Sequence, residues 1–254
     1  MIDIALQGIC GRMGRVLMEM IAEREDCRVT AGVDAQPGEG LPCPVFPGIQ
    51  GLSTLPEMPD ALIDFSHPTG ALTALEFCAK NALPCVICTT GLDEEARGQL
   101  QKAAQKTPVF FSANMSIGIN LMARLARKAQ EVLKGFDIEI VERHHRNKLD
   151  APSGTALMLA DAINQQAEGR YHYVYDRQPV RQKRNNDEIG ISAVRGGSIV
   201  GEHDVLFCGP DEVITLSHTA YSRTVFATGA VAAALFVAGK APGLYSMDDM
   251  LEGL

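Results

Sequence analysis

The stretch I-D-I-A-L-Q-G-I-C-G-R-M-G, residues 2–14, decides how this chain folds. Residues 2–6 form a short apolar run. Gly8, Gly11 and Gly14 follow at three-residue spacing, and Val16, Leu17, Met20 and Ile21 then recur with a helical period over residues 15–23. The order is strand, glycine turn, helix. Glycine lets the backbone turn tightly and lets a pyrophosphate approach the amides. The helix start offers that anion free N–H groups and a positive dipole end. Three glycines alone are weak evidence, because the same turn serves close strand–helix packing. Here the turn follows a strand and opens a helix. An acid, Asp34, also closes the next strand, at the separation that ribose recognition requires. A carboxylate there accepts from ribose hydroxyls and repels a 2′-phosphate. Ala35 follows it, so no arginine stands beside it to grip such a phosphate. NADH is therefore favoured over NADPH, a preference that nearby Arg12 moderates.

Outward from this turn, apolar strands at residues 29–33, 61–65, 85–88 and 109–112 alternate with helices at 71–80 and 93–106. That alternation predicts a parallel sheet covered on both faces. Residues 37–59, rich in Pro and Gly, read as surface loop. The pattern then changes. A long helix over 117–133 carries apolar residues at 117, 121, 122, 125, 129 and 132. A half-buried strand follows through Phe136, Ile138 and Ile140. Ser153 is placed to cap a helix over 155–166. Residues 189–194, 199–207 and 213–218 alternate without helices, as in an antiparallel or mixed sheet. A last helix spans 223–237. The fold class is α/β. A Rossmann-like parallel-sheet cofactor domain occupies residues 1–115 and 224–254. An α+β substrate-binding domain with a mixed or antiparallel open sheet occupies 116–223, with hinges near Asn114–Ser116 and Ser222–Thr224.

Composition bounds the function. The chain has 254 residues, 46% hydrophobic and 21% charged, with a net charge of −8. An acidic surface argues against a general nucleic-acid partner. No run reaches the roughly 18–20 apolar residues of a membrane span. No basic, apolar and small-residue leader precedes the first strand, so the sequence predicts a cytoplasmic protein. Seven scattered cysteines fit reduced thiols. Cys85 and Cys88 form a C-x-x-C with a β-branched apolar centre, read as thiols packed in or beside a strand.

The densest chemistry lies in E-R-H-H-R-N-K-L-D-A-P-S-G-T, residues 142–155. So many titratable groups and turn formers predict a loop held by a scaffold, where binding and catalytic groups concentrate. Histidine exchanges protons near neutrality. His144 and His145, being adjacent, point in different directions. Lys148 can reach an anion or give a proton, and the start of the helix after Ser153 suits a carboxylate. A metal site is disfavoured, because Arg143, Arg146 and Lys148 would repel the cation. A merely solvated basic loop is the bland alternative. For the second basic stretch, residues 177–184, a solvated loop is the favoured reading over a place at the substrate mouth.

This segment resembles the E-x-H-H-x-x-K-x-D-x-P-S-G-T motif of the bacterial dihydrodipicolinate reductase (4-hydroxy-tetrahydrodipicolinate reductase) family. The resemblance extends over nearly the whole chain. It takes in G-x-x-G-R-M-G at 8–14, D-F-S-H-P-T-G at 64–70, T-T-G at 89–91 and A-N-M-S-I-G at 113–118. It implies NADH- or NADPH-dependent reduction of a cyclic, unsaturated dicarboxylate on the route to diaminopimelate and lysine. Transferred by motif, His144 and Lys148 are the proton donors, and His145, Gly154 and Thr155 bind the substrate. Gly8, Ile9, Cys10, Gly11, Arg12, Met13 and Asp34 hold the adenosine side of the cofactor. Cys88, Thr89, Thr90, Ser112, Ala113, Asn114 and Met115 line its nicotinamide end. The family also implies a homotetramer built through the sheet of the second domain. Two positions depart from the pattern: Cys88 replaces a very small residue, and His67 stands where arginine is frequent.

Two other readings compete. One is another two-domain dehydrogenase of the aspartate pathway. Its semialdehyde-oxidising type needs a nucleophilic cysteine, and no cysteine lies near the candidate catalytic histidine in sequence. The other is an NAD(H)-binding sensor without turnover, which would need no proton donor.

Overall fold

The computed structural model describes residues 1–38 and 40–252. Glu39, inside the predicted surface loop, and Gly253 and Leu254, at the end of the predicted cofactor domain, lie outside the described residues.

In chain order the first elements are β1 (Ile2–Gln7), α1 (Arg12–Ala22), β2 (Cys27–Val33), β3 (Val45–Phe46) and a 3-10 turn at Ile49–Thr54. Next come β4 (Ala61–Asp64), α2 (Pro68–Asn81), β5 (Cys85–Ile87), α3 (Glu94–Ala104) and β6 (Pro108–Phe111). Then follow α4 (Ile117–Val132), β7 (Asp137–His144), α5 (Gly154–Gln166), β8 (His172–Val174), β9 (Glu188–Arg195), β10 (Gly201–Cys208) and β11 (Val213–Ala220). The chain closes with α6 (Thr224–Val237), β12 (Gly243–Tyr245) and α7 (Met247–Glu252). Contacts divide it into two compact units, Met1–Ile117 with Arg223–Leu254, and Gly118–Ser222.

The first unit is a seven-stranded sheet in the order β12-β6-β5-β4-β1-β2-β3. Every pairing in it is parallel. Side chains alternate across the pleat. Ile4, Leu6 and Ile63 face one core, shared with α1, α6 and α7, whereas Ala5 and Leu62 face the other, shared with α2 and α3. Helix α6 presses directly on the chain, since a Cβ at Gly229 would lie 1.7 Å from the Met115 carbonyl oxygen. His67 caps α2, its Nδ1 accepting from the Gly70 amide at 3.3 Å. Cys85 and Cys88 are free, buried thiols.

In the second unit a five-stranded sheet runs β11-β10-β7-β9-β8. It is mixed: β7–β9 and β9–β8 are parallel, β10 antiparallel to β7 and β11. Ile138, Ile140, Ile191, Val205 and Phe207 join α4 and α5 in its core.

Four features differ from the sequence reading. The stripe of α4 that is buried is Ile119, Met122, Ala123 and Ala126, while Leu121 and Leu125 stay about half exposed at 48% and 49%. Helix α1 begins at Arg12 rather than Arg15, because Gly11 already serves as its N-cap. The histidine stretch is only partly loop. Glu142, Arg143 and His144 end β7, and Glu142 and His144 are buried. Basic residues 177–184 are only partly solvated. Arg177 pairs with Glu139 and Glu188, and Arg184 with Asp137 and Glu139, while Arg181 and Lys183 are exposed.

Candidate active site

In a parallel sheet the loops after the strands share one edge, and ligands bind outside those carboxyl ends where neighbouring connections diverge. Gly8 follows β1, Asp34 follows β2, Ser66 follows β4, Cys88, Thr89 and Thr90 follow β5, and Ser112 to Met115 follow β6. The predicted cofactor residues of the first unit therefore gather along one edge. Gly8 has φ +81° and lies so close to β4 that a Cβ would come within 2.7 Å of the Phe65 carbonyl oxygen. At Gly14 a Cβ would lie 2.3 Å from the carbonyl oxygens of Gly8 and Ile9. Only glycine closes this turn.

Helix α1 has no side-chain cap at Gly11 and no acid in its first turn. Its leading amides thus meet neither a capping side chain nor an acid of the helix itself, which leaves donors for an anion. Asp34 Oδ2 accepts from the Cys10 amide at 3.0 Å and Oδ1 from the Gln36 amide at 3.1 Å. These bonds fix a half-buried carboxylate beside the glycine turn while further lone pairs stay available. Backbone amides for a pyrophosphate and a carboxylate for a ribose fit a dinucleotide. The side chains of Ile9, Cys88 and Met115 are buried in the core, so these residues can offer a ligand only their backbone. Arg12 is exposed and Met13 half-buried.

Buried Asp64 braces the neighbouring turns. It accepts from Thr89 Oγ1 at 2.6 Å and from Ser66 Oγ at 2.5 Å. Burial raises its pKa, and these hydroxyls partly offset that. Gln7 Nε2 donates to Gly70 O at 2.8 Å, which extends the bracing to β1. Among Ser112 to Met115, Ser112 Oγ donates to Asn114 O at 2.7 Å and Asn114 Oδ1 accepts from the Ser116 amide at 2.9 Å. These bonds tighten the turn after β6.

The second unit holds a different kind of site. Glu142 is 0% exposed. Its Oε1 accepts from Arg195 Nη2 at 2.7 Å and the Ser153 amide at 3.0 Å. Oε2 accepts from Arg195 Nη1 at 2.7 Å and lies 2.6 Å from His144 Nδ1. Burial alone would raise this carboxyl's pKa, but the bonds from Arg195, His144 and Ser153 outweigh it and leave the pKa lowered. Removing one member of such a buried pair strands a charge, an effect of about 3–5 kcal/mol.

Ser153 Oγ caps α5 by accepting from the Ala156 amide at 3.1 Å and also meets His203 Nε2 at 2.8 Å. The His144 and His203 rings meet edge to face, with centroids 5.2 Å apart. Burial, and then the neighbouring His144, push the His203 pKa down to about 4, so it is neutral near pH 7. Lys148 Nζ pairs with Asp150 at 2.8 Å. Arg195 Nη2 also donates to the Asp150 carbonyl at 2.6 Å, tying β9 to the loop that carries Lys148. The Asp150 carboxyl is held below its ordinary pKa by Lys148, with a smaller share from the Gly154 amide. His145 Nδ1 is buried and unpartnered among the described residues.

The structure therefore brings His144, His145, Lys148, Gly154 and Thr155 into one connected segment at the end of β7 and the start of α5. Sequence reasoning singled out Ser153 as a cap and as part of a helix start suited to a carboxylate, and missed Glu142, Arg195 and His203 as members of the cluster. The one available signal was the alternation of β7, which puts 138, 140, 142 and 144 on the same face.

Residues 2–115 match the family described as "Dihydrodipicolinate reductase, N-terminus", and residues 118–251 match "Dihydrodipicolinate reductase, C-terminus". The chain is 48% identical over 252 residues to the 4-hydroxy-tetrahydrodipicolinate reductase of Caldanaerobacter subterraneus subsp. tengcongensis, covering 99% of both chains. It is 44% identical over 253 residues to the enzyme of that name from Clostridium tetani, covering 99% of this chain and 98% of the other. Among solved structures, it superimposes on the dipicolinate-bound dihydrodipicolinate reductase from Paenisporosarcina sp. TG-14 with a TM-score of 0.81, at 27% identity, covering 97% of both chains.

Proposed function

The chain belongs to the dihydrodipicolinate reductase family, and we propose that it reduces 4-hydroxy-tetrahydrodipicolinate to tetrahydrodipicolinate, a step toward diaminopimelate and lysine. The balance needs one hydride and one proton, and the 4-hydroxyl leaves as water together with a hydrogen from the neighbouring ring carbon. A nicotinamide cofactor held at the glycine turn and Asp34 would supply the hydride. The protein must bind two carboxylates, present the ring and deliver the proton to the enamine.

The observation that carries this reading is the glycine turn, with its uncapped helix start and Asp34 hydrogen-bonded to its rim. We assign Gly8 to Met13 and Asp34 to the adenosine side of the cofactor, and Cys88 to Thr90 with Ser112 to Met115 to its nicotinamide side. His144 is the proton donor, and Lys148 is the second donor. Gly154 and Thr155, the first residues of α5, take a substrate carboxylate. His145 contributes its unpartnered Nδ1. Asp34 with Ala35 favours NADH. A homotetramer joined through the five-stranded sheet is the proposed assembly. Exposed Val213 and Ile214 on its edge strand support that use. No described helix is long and apolar enough to cross a membrane.

The test is a steady-state assay following nicotinamide absorbance with freshly generated 4-hydroxy-tetrahydrodipicolinate. Oxidation of NADH, with slower oxidation of NADPH, is expected. Absence of turnover with either cofactor would overturn the enzymatic reading and leave the sensor.

A further inference from the structure

A carboxylate with no exposed surface demands an explanation, because burying a charge opposes folding unless something is gained from it. Glu142 is buried completely, and four donors converge on its two oxygens. Arg195 supplies two of them in a fork, and each of its terminal nitrogens also donates to a backbone carbonyl, of Val194 or Asp150. An ionised carboxylate can only accept hydrogen bonds. The ring nitrogen of His144 that lies 2.6 Å from Oε2 is Nδ1, so Nδ1 must carry a hydrogen whatever the charge of the ring. Nε2 is then the nitrogen at which a proton comes and goes. It points toward Gly201, where a Cβ would stand only 3.1 Å away. The ring is further confined by the edge of His203.

We infer that Glu142 and Arg195 are positioning residues for the reaction: together they hold His144 in the Nδ1–H tautomer, so that it gives its proton from Nε2 alone. This rests on the role given to His144 above. Arg195 keeps Glu142 ionised and immobile. Glu142 fixes the ring's tautomer and rotation, as the buried aspartate does for histidine in serine hydrolases. His203 is neutral and adds no competing charge. The same guanidinium holds the Asp150 carbonyl, so one residue sets both His144 and the loop bearing Lys148.

The experiment combines ring-nitrogen NMR of the ¹⁵N-histidine-labelled full chain with kinetics of two variants. His144, assigned by its absence in His144→Ala, is expected to show a protonated Nδ1 and a bare Nε2 in its neutral form. Glu142→Gln keeps the shape but removes the charge and turns an amide toward Arg195 or His144. It is expected to lower kcat roughly 10²-fold or more, with the NADH dissociation constant unchanged. The Nδ1–H signature should weaken. Arg195→Lys, which keeps a cation, is expected to retain more kcat than Arg195→Met. A bare Nδ1 on His144 in the parent protein overturns the proposal, even if Glu142→Gln fails to fold. So does a folded Glu142→Gln with kcat within about twofold of the parent, which would make the pair a structural brace only. If His144→Ala itself turns over normally, the reading of His144 as donor fails, while the tautomer spectrum still reports on the geometry.

Discussion

The glycine edge of the first unit and the buried cluster of the second are built on opposite principles. The first works by leaving side chains out. Gly8 and Gly14 are needed because any Cβ would strike a backbone carbonyl. The second works by packing charges in, with Glu142, Arg195, His144 and Ser153 satisfying one another inside a sheet. The first is therefore vulnerable to volume and the second to protons and to lost partners.

The largest expected effect tests the second region. His144→Ala should lower kcat by about 10²–10⁴-fold, the usual share of general acid catalysis, with NADH affinity unmoved in a fluorescence titration. An unchanged kcat would remove the chemistry from the charged cluster altogether.

Acid should come next. An unfolded histidine takes up its proton near pH 6.5, whereas buried His203 resists until about 4. Between these values the unfolded chain binds more protons, so stability falls as pH drops, by about 3 kcal/mol in order of magnitude. His218, lowered by burial, acts with the same sign. The carboxyl of Glu142 extends the loss to lower pH, since its stabilisation is complete above the ordinary carboxylate range and vanishes as pH falls through its depressed value. Denaturant melts of His203→Gln should show a shallower slope between pH 6.5 and 4; an unchanged slope would place the sensitivity elsewhere.

Volume tests the first region. Gly14→Ala puts a Cβ 2.3 Å from two carbonyl oxygens. Overpacking of this kind is expected to destabilise by about 1–3 kcal/mol and to weaken cofactor binding while leaving the response to acid intact. Calorimetry with NADH measures both parts. The smallest change is expected from Asp34→Ala, which should narrow the ratio of kcat/KM for NADH over NADPH by several-fold. A parent protein that already prefers NADPH would refute the role given to Asp34.

The same contrast explains what could be read in advance. The glycine turn is contiguous, so its spacing exposed it, and Asp34 lies only one strand away. The cap Ser153 and the helix it starts were equally local. Glu142, by contrast, draws its meaning from Arg195, 53 positions later, and Ser153 meets His203 50 positions on. Local patterns do not encode such pairs. A polar residue at the end of a strand looks like the beginning of a loop until its partner is known, which is why β7 was read too short. Strands β8 and β12, of three residues each, escaped for a related reason, since neither is long enough to show a period.

The parallel sheet carries a last consequence, for the order in which the protein is made. Its edge strand β12 and the buried helix α6 come from the end of the chain, whereas the second unit is continuous. During synthesis the whole of Gly118–Ser222 leaves the ribosome before the first unit can close its core. Domains fold as units as they emerge. The unit read second from the sequence is thus the one able to finish folding first, while the nucleotide half waits, half-covered, for α6 and β12.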